Sequence, residues 1–181
     1  MARKTIQMVC VVLGAIGLIG VIICCALPEW VVGYEDDKEV HVGLWKICAK
    51  QGTGPQECAS YDSQASAQIQ ACRALTIISF ILCGLGLLLL IFGSDFTPCV
   101  QNQDAKPKMI KAAAVGLILA GMLVIIPVRW FSNNIGNAAE GLMLGASIYV
   151  GYIAGVLMIL SGVLLCYLSR SRSSNYHQLQ S

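Results

Sequence analysis

The chain alternates between four long apolar segments and short polar connections. Asp, Glu, Lys and Arg are all absent from residues 5–28, 74–94, 112–128 and 141–169. A transmembrane helix needs about 20 consecutive apolar residues to cross the hydrocarbon core, and about 17 is near the lower limit. The pattern therefore predicts four membrane-spanning helices. We place them at residues 6–27, 74–93, 112–128 and 142–168. We expect the first segment to be kept as a span rather than cleaved as a signal peptide, because its apolar run is longer than a signal peptide's.

The short connections leave no room for a second folded unit, so residues 1–181 are predicted to form a single domain. The connections are loops 28–73 and 129–141 on one side of the membrane, and loop 94–111 and tail 169–181 on the other. The first four residues, the loop 94–111 and the tail hold seven of the chain's 12 Lys and Arg. Because positive residues favour the cytoplasmic side, we expect both termini to be cytoplasmic and the long loop to be extracellular.

The long loop 28–73 has a pattern of short strands. Residues 30–34 and 40–48 are rich in Val, Trp and other residues that favour strands, and residues 51–55 form a turn cluster of Gly and Pro. Residues 58–61 can then return antiparallel. The sequence therefore predicts a mainly α membrane protein, in which a four-helix bundle carries a small extracellular antiparallel β-sheet.

Composition excludes several classes of function. Apolar residues make up 56% of the chain and charged residues 12%, whereas charged residues make up about 25% of an ordinary soluble domain. A soluble core, a nucleic-acid-binding module and a disordered chain are therefore excluded. Transporters and pumps place ionisable residues within their spans, and here the spans hold no Asp, Glu, Lys or Arg. We expect no enzyme activity and no cofactor, since quinone-linked thiol oxidants need a C-x-x-C pair that this sequence lacks.

The predicted extracellular loop is acidic overall, and its negative charge attracts cations rather than anions. The acidic run at residues 35–39 is interpreted as a solvated turn, with a pore lining as the alternative. A stripe of small residues in the fourth span, Ser147, Gly151 and Gly155, permits close helix approach. The stripe serves either packing within the bundle or contact with a neighbouring protomer.

Nine cysteines occur in the chain, and only Cys48 and Cys58 lie well inside the loop predicted to face the oxidising extracellular environment. We expect these two to form a disulfide. No metal site is expected, because His41 is the only histidine of this loop. Cys99 and Cys166 lie near the predicted cytoplasmic leaflet and are candidate palmitoylation sites, with a free or buried thiol as the alternative.

A specific motif runs through the same loop. Trp30, the tripeptide Gly43-Leu44-Trp45, Cys48 and Cys58 follow one another in a W…GLW…C…C order. This order resembles the signature of the claudins, and the similarity continues at residues 70–75, 129–131 and 145–151. The resemblance covers nearly the whole chain. It implies a left-handed four-helix transmembrane bundle with a small extracellular antiparallel β-sheet.

The resemblance also implies a function at the tight junction. Claudins polymerise side by side in one membrane, meet those of the adjacent cell, and form barriers or charge-selective ion pores between cells. By resemblance, the signature residues Trp30, Gly43, Leu44 and Trp45 would hold the sheet, and Arg73 would lie under it at the membrane edge. We expect both tryptophans at the boundary between sheet and bilayer. The candidate pore-lining residues are Lys50, Gln51, Glu57, Ser60 and Asp62.

The disulfide is expected to bring Lys50, Glu57 and Asp62 into one neighbourhood. Expected partners are further copies in the same membrane, claudins of the adjacent cell and membrane lipids, with no nucleic acid. The second outer loop, residues 132–140, is short and lacks the aromatic and proline segment associated with contact between cells. Direct binding to PDZ scaffolds is not expected, because the chain ends in Ser181 rather than in an apolar residue. The alternative function is that of a four-span relative acting as a channel auxiliary subunit or compacting membranes.

Overall fold

The fold is a bundle of four long helices with a small sheet at one end. The computed structural model describes residues 2–35, 38–61, 66–95, 97, 105–136 and 142–178. The helices are α1 (Ala2–Ala26), α2 (Ala67–Gly93), α3 (Ala105–Gly136) and α4 (Ala146–Gln178). Each is long and apolar enough to cross a membrane. The predicted four-helix membrane architecture is therefore confirmed.

The helices extend beyond the apolar segments from which they were predicted, because polar residues at their ends continue the backbone hydrogen bonding. Helix α2 begins seven residues before its apolar segment, where the Oγ of Ser66 accepts a hydrogen bond from the backbone N–H of Ile69. Helix α3 continues through Pro127 to Gly136. The loops between the helices are therefore shorter than the loops predicted from the uncharged segments.

The sheet has five antiparallel strands in the order β4-β3-β2-β1-β5. The strands are β1 (Val31–Glu35), β2 (Lys38–Val42), β3 (Lys46–Gln51), β4 (Gln56–Ser60) and β5 (Leu142–Leu144). The start of the predicted fourth span is wrong, since residues 142–144 form the edge strand β5 and the helix begins at Ala146. Strand β5 pairs with β1 and links the segment before α4 to the long loop.

The predicted single run over residues 40–48 is also wrong, because the chain turns between β2 and β3 at Gly43-Leu44-Trp45. The N–H of Gly43 donates to the carbonyl of Lys46 at 3.0 Å and closes this turn. A Cβ at Gly43 would collide with the backbone of Pro28, so glycine is needed for the close approach of the two segments.

The sheet is attached to the bundle by backbone hydrogen bonds at the start of α4. The N–H of Gly145 donates to the carbonyl of Trp30 at 3.0 Å, and the N–H of Ser147 donates to the carbonyl of Glu29 at 3.1 Å. The first N–H groups of a helix have no partner within the helix. Here two groups at this start bond to the chain segment that leads into β1, which fixes the position of that strand.

Two buried clusters stabilise the molecule. One fills the bundle, with side chains such as Leu87, Leu117 and Met158, and the other lies where the bundle meets the sheet. The small-residue stripe of α4 packs inside the bundle. Gly151 lies against Val128, and Gly155 lies against Ile125. Packing within the bundle is therefore confirmed for these glycines, whose missing side chains let α3 and α4 approach closely.

Candidate functional site

Trp30 lies at the centre of the contact between sheet and helices. Its side chain is 0% exposed, its Nε1–H donates to the carbonyl of Cys24 at 2.8 Å, and its ring meets Phe131 edge to face with the centroids 5.1 Å apart. The expected position at the boundary between sheet and bilayer is wrong for this residue, whose ring is buried within the protein. The ring is buried because Trp30 bonds to α1 through its side chain, and the carbonyls of Glu29 and Trp30 bond to the start of α4.

Trp45, by contrast, stays 43% exposed at the junction between sheet and bundle. Its Nε1–H donates to the Sγ of Cys25 at 3.3 Å. The guanidinium carbon of Arg73 lies 4.8 Å from the centroid of the Trp45 ring, and the Nε–H of Arg73 donates to the carbonyl of Leu44 at 2.8 Å. An arginine over a tryptophan face is a favourable cation–π arrangement. Arg73 thus joins α2 to the turn between β2 and β3.

Tyr61 also packs against Arg73. The guanidinium carbon lies 5.4 Å from the Tyr61 ring centroid. Burial raises the pKa of the Tyr61 phenol, and the positive charge of Arg73 partly opposes this shift. The segment that follows β4 is therefore held against α2 as well.

Cys48 and Cys58 lie directly opposite each other on β3 and β4 and form the expected disulfide. Cys48 is fully buried. Among the residues that the structure describes, no group of three or more His, Cys, Asp and Glu could hold a metal ion. Cys166 is exposed on α4, and Cys99 lies outside the described residues, so palmitoylation of both stays a prediction.

Sheet register separates the candidate pore-lining residues. Lys50 lies opposite Gln56 on β4, whereas Glu57 lies opposite Ala49. Side chains alternate between the two faces of a sheet, so Lys50 and Glu57 point to opposite faces. Lys50 shares its face with Ser60, which lies opposite Lys46 on the adjoining strand. Lys50 and Glu57 therefore lie in one neighbourhood, as expected, but on opposite faces of the sheet. Asp62 lies outside the described residues.

The charged neighbour of Lys50 within the sheet is Glu39, directly opposite it on β2. The hydroxyl of Tyr34 donates to Oε1 of Glu39 at 3.2 Å, and Nε2 of His41 lies 3.4 Å from the same oxygen. The hydrogen bond and negative charge of Glu39 raise the pKa of the Tyr34 phenol. Glu39 therefore belongs to an organised cluster on one face, which the prediction of a solvated turn at residues 35–39 missed.

Alternation along β2 was the signal that could have revealed this cluster. Glu39 and His41 are two residues apart, with Val40 between them, and residues two apart on a strand share a face. Asp36 and Asp37, also part of the acidic run, lie outside the described residues.

A cavity of about 390 Å³ lies at the end of the sheet formed by the β3–β4 turn, and we call it the tip cavity. Its lining consists of Lys38, Ala49, Lys50, Gln51, Gly54, Pro55 and Glu57. The opposite ends of the strands contact the helices through Trp30, Leu44 and Tyr61. The tip cavity therefore faces away from the bundle and combines three of the predicted pore-lining residues, namely Lys50, Gln51 and Glu57.

Comparison with known proteins agrees with this architecture. Residues 4–165 match the model of the PMP-22/EMP/MP20/Claudin family. The chain is 38% identical to claudin-4 of Homo sapiens, over 92% of this chain and 87% of that protein. It is 38% identical to the claudin-like protein ZF-A89 of Danio rerio, over 92% and 88%, and 36% identical to claudin-3 of Homo sapiens, over 91% and 82%.

The matched residues 4–165 span the sheet and most of each helix, and they contain the positions of the disulfide and of the W…GLW…C…C motif. The chain therefore belongs to the PMP-22/EMP/MP20/Claudin family, as a multi-pass claudin-type protein of tight junctions, where such proteins form paracellular barriers or channels.

Proposed function

We propose that this claudin controls ion flow between cells and that ions meet it at the tip cavity. One observation carries the proposal: Lys38, Lys50 and Glu57 line the same cavity at the end of the sheet away from the bundle. Family membership implies a structural or barrier role. A cavity lined by charged side chains is the part of such a protein that can discriminate between ions of opposite sign.

The tip cavity carries charges of both signs. Two lysines contribute +2 and Glu57 contributes −1, which leaves +1 on the cavity lining. A narrow passage between low-dielectric walls strengthens the effect of each charge on a passing ion. Glu39 lies directly opposite Lys50, well within the Debye length of about 8 Å beyond which charges are largely screened, and it brings the local balance to zero. Each of these side chains can therefore alter ion preference, so the test changes the lysines one at a time.

The proposal includes an orientation and partners. We infer that both termini are cytoplasmic and that the sheet is extracellular, supported by the seven Lys and Arg gathered in the first four residues, the loop 94–111 and the tail. The protein associates with further copies in the same membrane and with claudins of the adjacent cell. Direct PDZ binding is not part of the proposal, since the chain ends in Ser181.

Dilution potentials across an epithelial monolayer with little endogenous claudin test the proposed lining. Replacing Lys38 or Lys50 with Gln should shift permeability toward sodium relative to chloride. Lys46→Gln is the matched control, because Lys46 is exposed on the same sheet but does not line the cavity. Equal shifts from all three variants would exclude the tip cavity as the selective surface. Absence of junctional strands in freeze-fracture replicas would instead favour an accessory role for the protein.

A further inference from the structure

Helices α1 and α2 leave an apolar groove between them at the end of the bundle nearest the sheet. The groove has a volume of about 300 Å³. Ile22 and Ala26 of α1 form one wall, Thr76, Ile77 and Phe80 of α2 form the other, and Trp45 closes the end next to the sheet. We call it the α1–α2 groove. The disulfide, the tip cavity and the Glu39 cluster do not contribute to it.

The α1–α2 groove belongs to the surface that faces lipid. Ile22, Ile77 and Phe80 are each exposed over more than two-fifths of their surface. Exposed apolar side chains continue from them along both helices, at Ile19 on α1 and Ile81 on α2. In a membrane protein such a surface contacts hydrocarbon, so an acyl chain is the material available to fill a groove in it.

A positive charge lies at one end of the groove. Arg73 precedes Ile77 by four residues and Phe80 by seven on α2, so the three side chains follow one face of the helix over about 10 Å. The Arg73 guanidinium also lies against Trp45, which closes the groove. Among the described residues, no carboxylate lies within ion-pair distance of Arg73.

The hydrogen bond made by Arg73 leaves part of its guanidinium group available to bind a ligand. Its Nε–H is occupied by the carbonyl of Leu44, which fixes the plane of the group and leaves the terminal amino groups to other acceptors. A guanidinium fork matches the oxygens of a phosphate. Along α2 the cation of Arg73 thus precedes the apolar Ile77 and Phe80, which is the order of charge and hydrocarbon in a phospholipid.

We propose that the α1–α2 groove binds one glycerophospholipid, with its phosphate on Arg73 and an acyl chain between Ile22, Ile77 and Phe80 beneath Trp45. The lipid extends the contact between sheet and bundle, because Trp45 and Arg73 take part both in that contact and in the proposed lipid site. The proposal stands independently of the proposed ion selectivity, because neither residue lines the tip cavity.

Native mass spectrometry of the full-length protein in detergent tests the site, with phosphatidylcholine and a diacylglycerol of identical acyl chains as probes. The wild-type protein should retain one phosphatidylcholine and bind it about tenfold more tightly than the diacylglycerol, because only the former offers a phosphate to Arg73. Comparing two lipids on the wild-type protein tests the role of Arg73 without a variant that could loosen the sheet. Equal affinities for the two lipids would overturn the phosphate contact.

A second arm tests the groove itself. Ala26→Phe should fill it and weaken phosphatidylcholine binding by about tenfold, because the acyl chain loses its buried surface. Ala112→Phe is the matched control, since Ala112 is exposed on α3 and does not line the groove, and it should leave binding unchanged. Unchanged binding in Ala26→Phe would overturn the site. Loss of dimers with no loss of lipid would show that a second copy, rather than a phospholipid, occupies the groove.

Fluorescence quenching in vesicles gives an independent readout. In a Trp130→Phe background, Trp45 is the exposed tryptophan and Trp30 is buried within the protein. Phosphatidylcholine brominated on its acyl chain should quench Trp45 more strongly in this background than in the same protein carrying Ala26→Phe. Equal quenching in the two proteins would mean that only bulk lipid reaches the ring, and would overturn the proposal.

Discussion

The Nε–H of Arg73 donates a 2.8 Å hydrogen bond to the carbonyl oxygen of Leu44, so a residue of helix α2 holds the turn between β2 and β3. The same guanidinium lies over the ring of Trp45. The sheet is therefore positioned from two directions, by α2 at this turn and by the start of α4 at Glu29 and Trp30.

Removing the Arg73 contact should loosen the sheet without dissolving the bundle. We expect Arg73→Leu to destabilise the sheet by about 2 kcal/mol, from a charge-assisted hydrogen bond and a cation–π contact. Limited proteolysis should then cut the segment between α1 and α2 faster than in the wild type. Arg129→Leu is the control, because Arg129 is exposed on α3. Matching proteolysis rates for the two variants would contradict the role of Arg73 in holding the sheet.

The two signature tryptophans should differ in their effect on stability. Trp30→Ala should lower the free energy of unfolding by about 3–5 kcal/mol, because it empties a fully buried site. Trp45→Ala should cost less, since its ring is 43% exposed. Thermal unfolding in detergent measures both, and surface delivery in cells should follow the same order. A larger loss for Trp45→Ala would mean that the contact between sheet and bundle is assigned to the wrong ring.

The helices and one turn could be predicted from the sequence, but the burial of Trp30 and the strand β5 could not. Uncharged stretches predicted the four helices because crossing a membrane requires long apolar runs, and the Gly and Pro cluster predicted the β3–β4 turn. Burial of Trp30 could not be predicted, since it depends on how the sheet docks against the bundle. Strand β5 was missed because Leu142–Leu144 share the apolar composition of the helix that follows, and short apolar runs do not distinguish strand from helix.

The site was predicted in composition but not in arrangement. Lys50, Gln51 and Glu57 line the tip cavity, yet which face each occupies depends on strand register. Nearness in sequence to the disulfide could not supply that register. The pairing of Glu39 with Lys50 required the alignment of β2 with β3, which is fixed by the turn at Gly43 and by its long-range contact with Pro28.

The disulfide should stabilise the sheet through its effect on the unfolded chain. Closing the loop between Cys48 and Cys58 is worth about 3 kcal/mol on the chain-entropy model. Reductant should therefore lower the melting temperature of the wild-type protein and leave a Cys48→Ala, Cys58→Ala double variant unchanged. Peptide mapping without reduction should recover the two cysteines in one linked pair. Free thiols at both positions in protein from the cell surface would contradict the assignment.

Charge changes near the tip cavity should alter ion preference without altering delivery to the junction. Lys50→Glu should raise the preference for cations, both by reversing a charge of the lining and by removing the partner of Glu39. Adding Glu39→Gln to Lys50→Glu should recover part of the change, because it removes a carboxylate directly opposite residue 50. Dilution potentials measure all of these changes, with surface biotinylation to confirm equal delivery. If none of these variants moves the potential while delivery is normal, the charges decorate a sealed barrier and the pore form of the function is excluded.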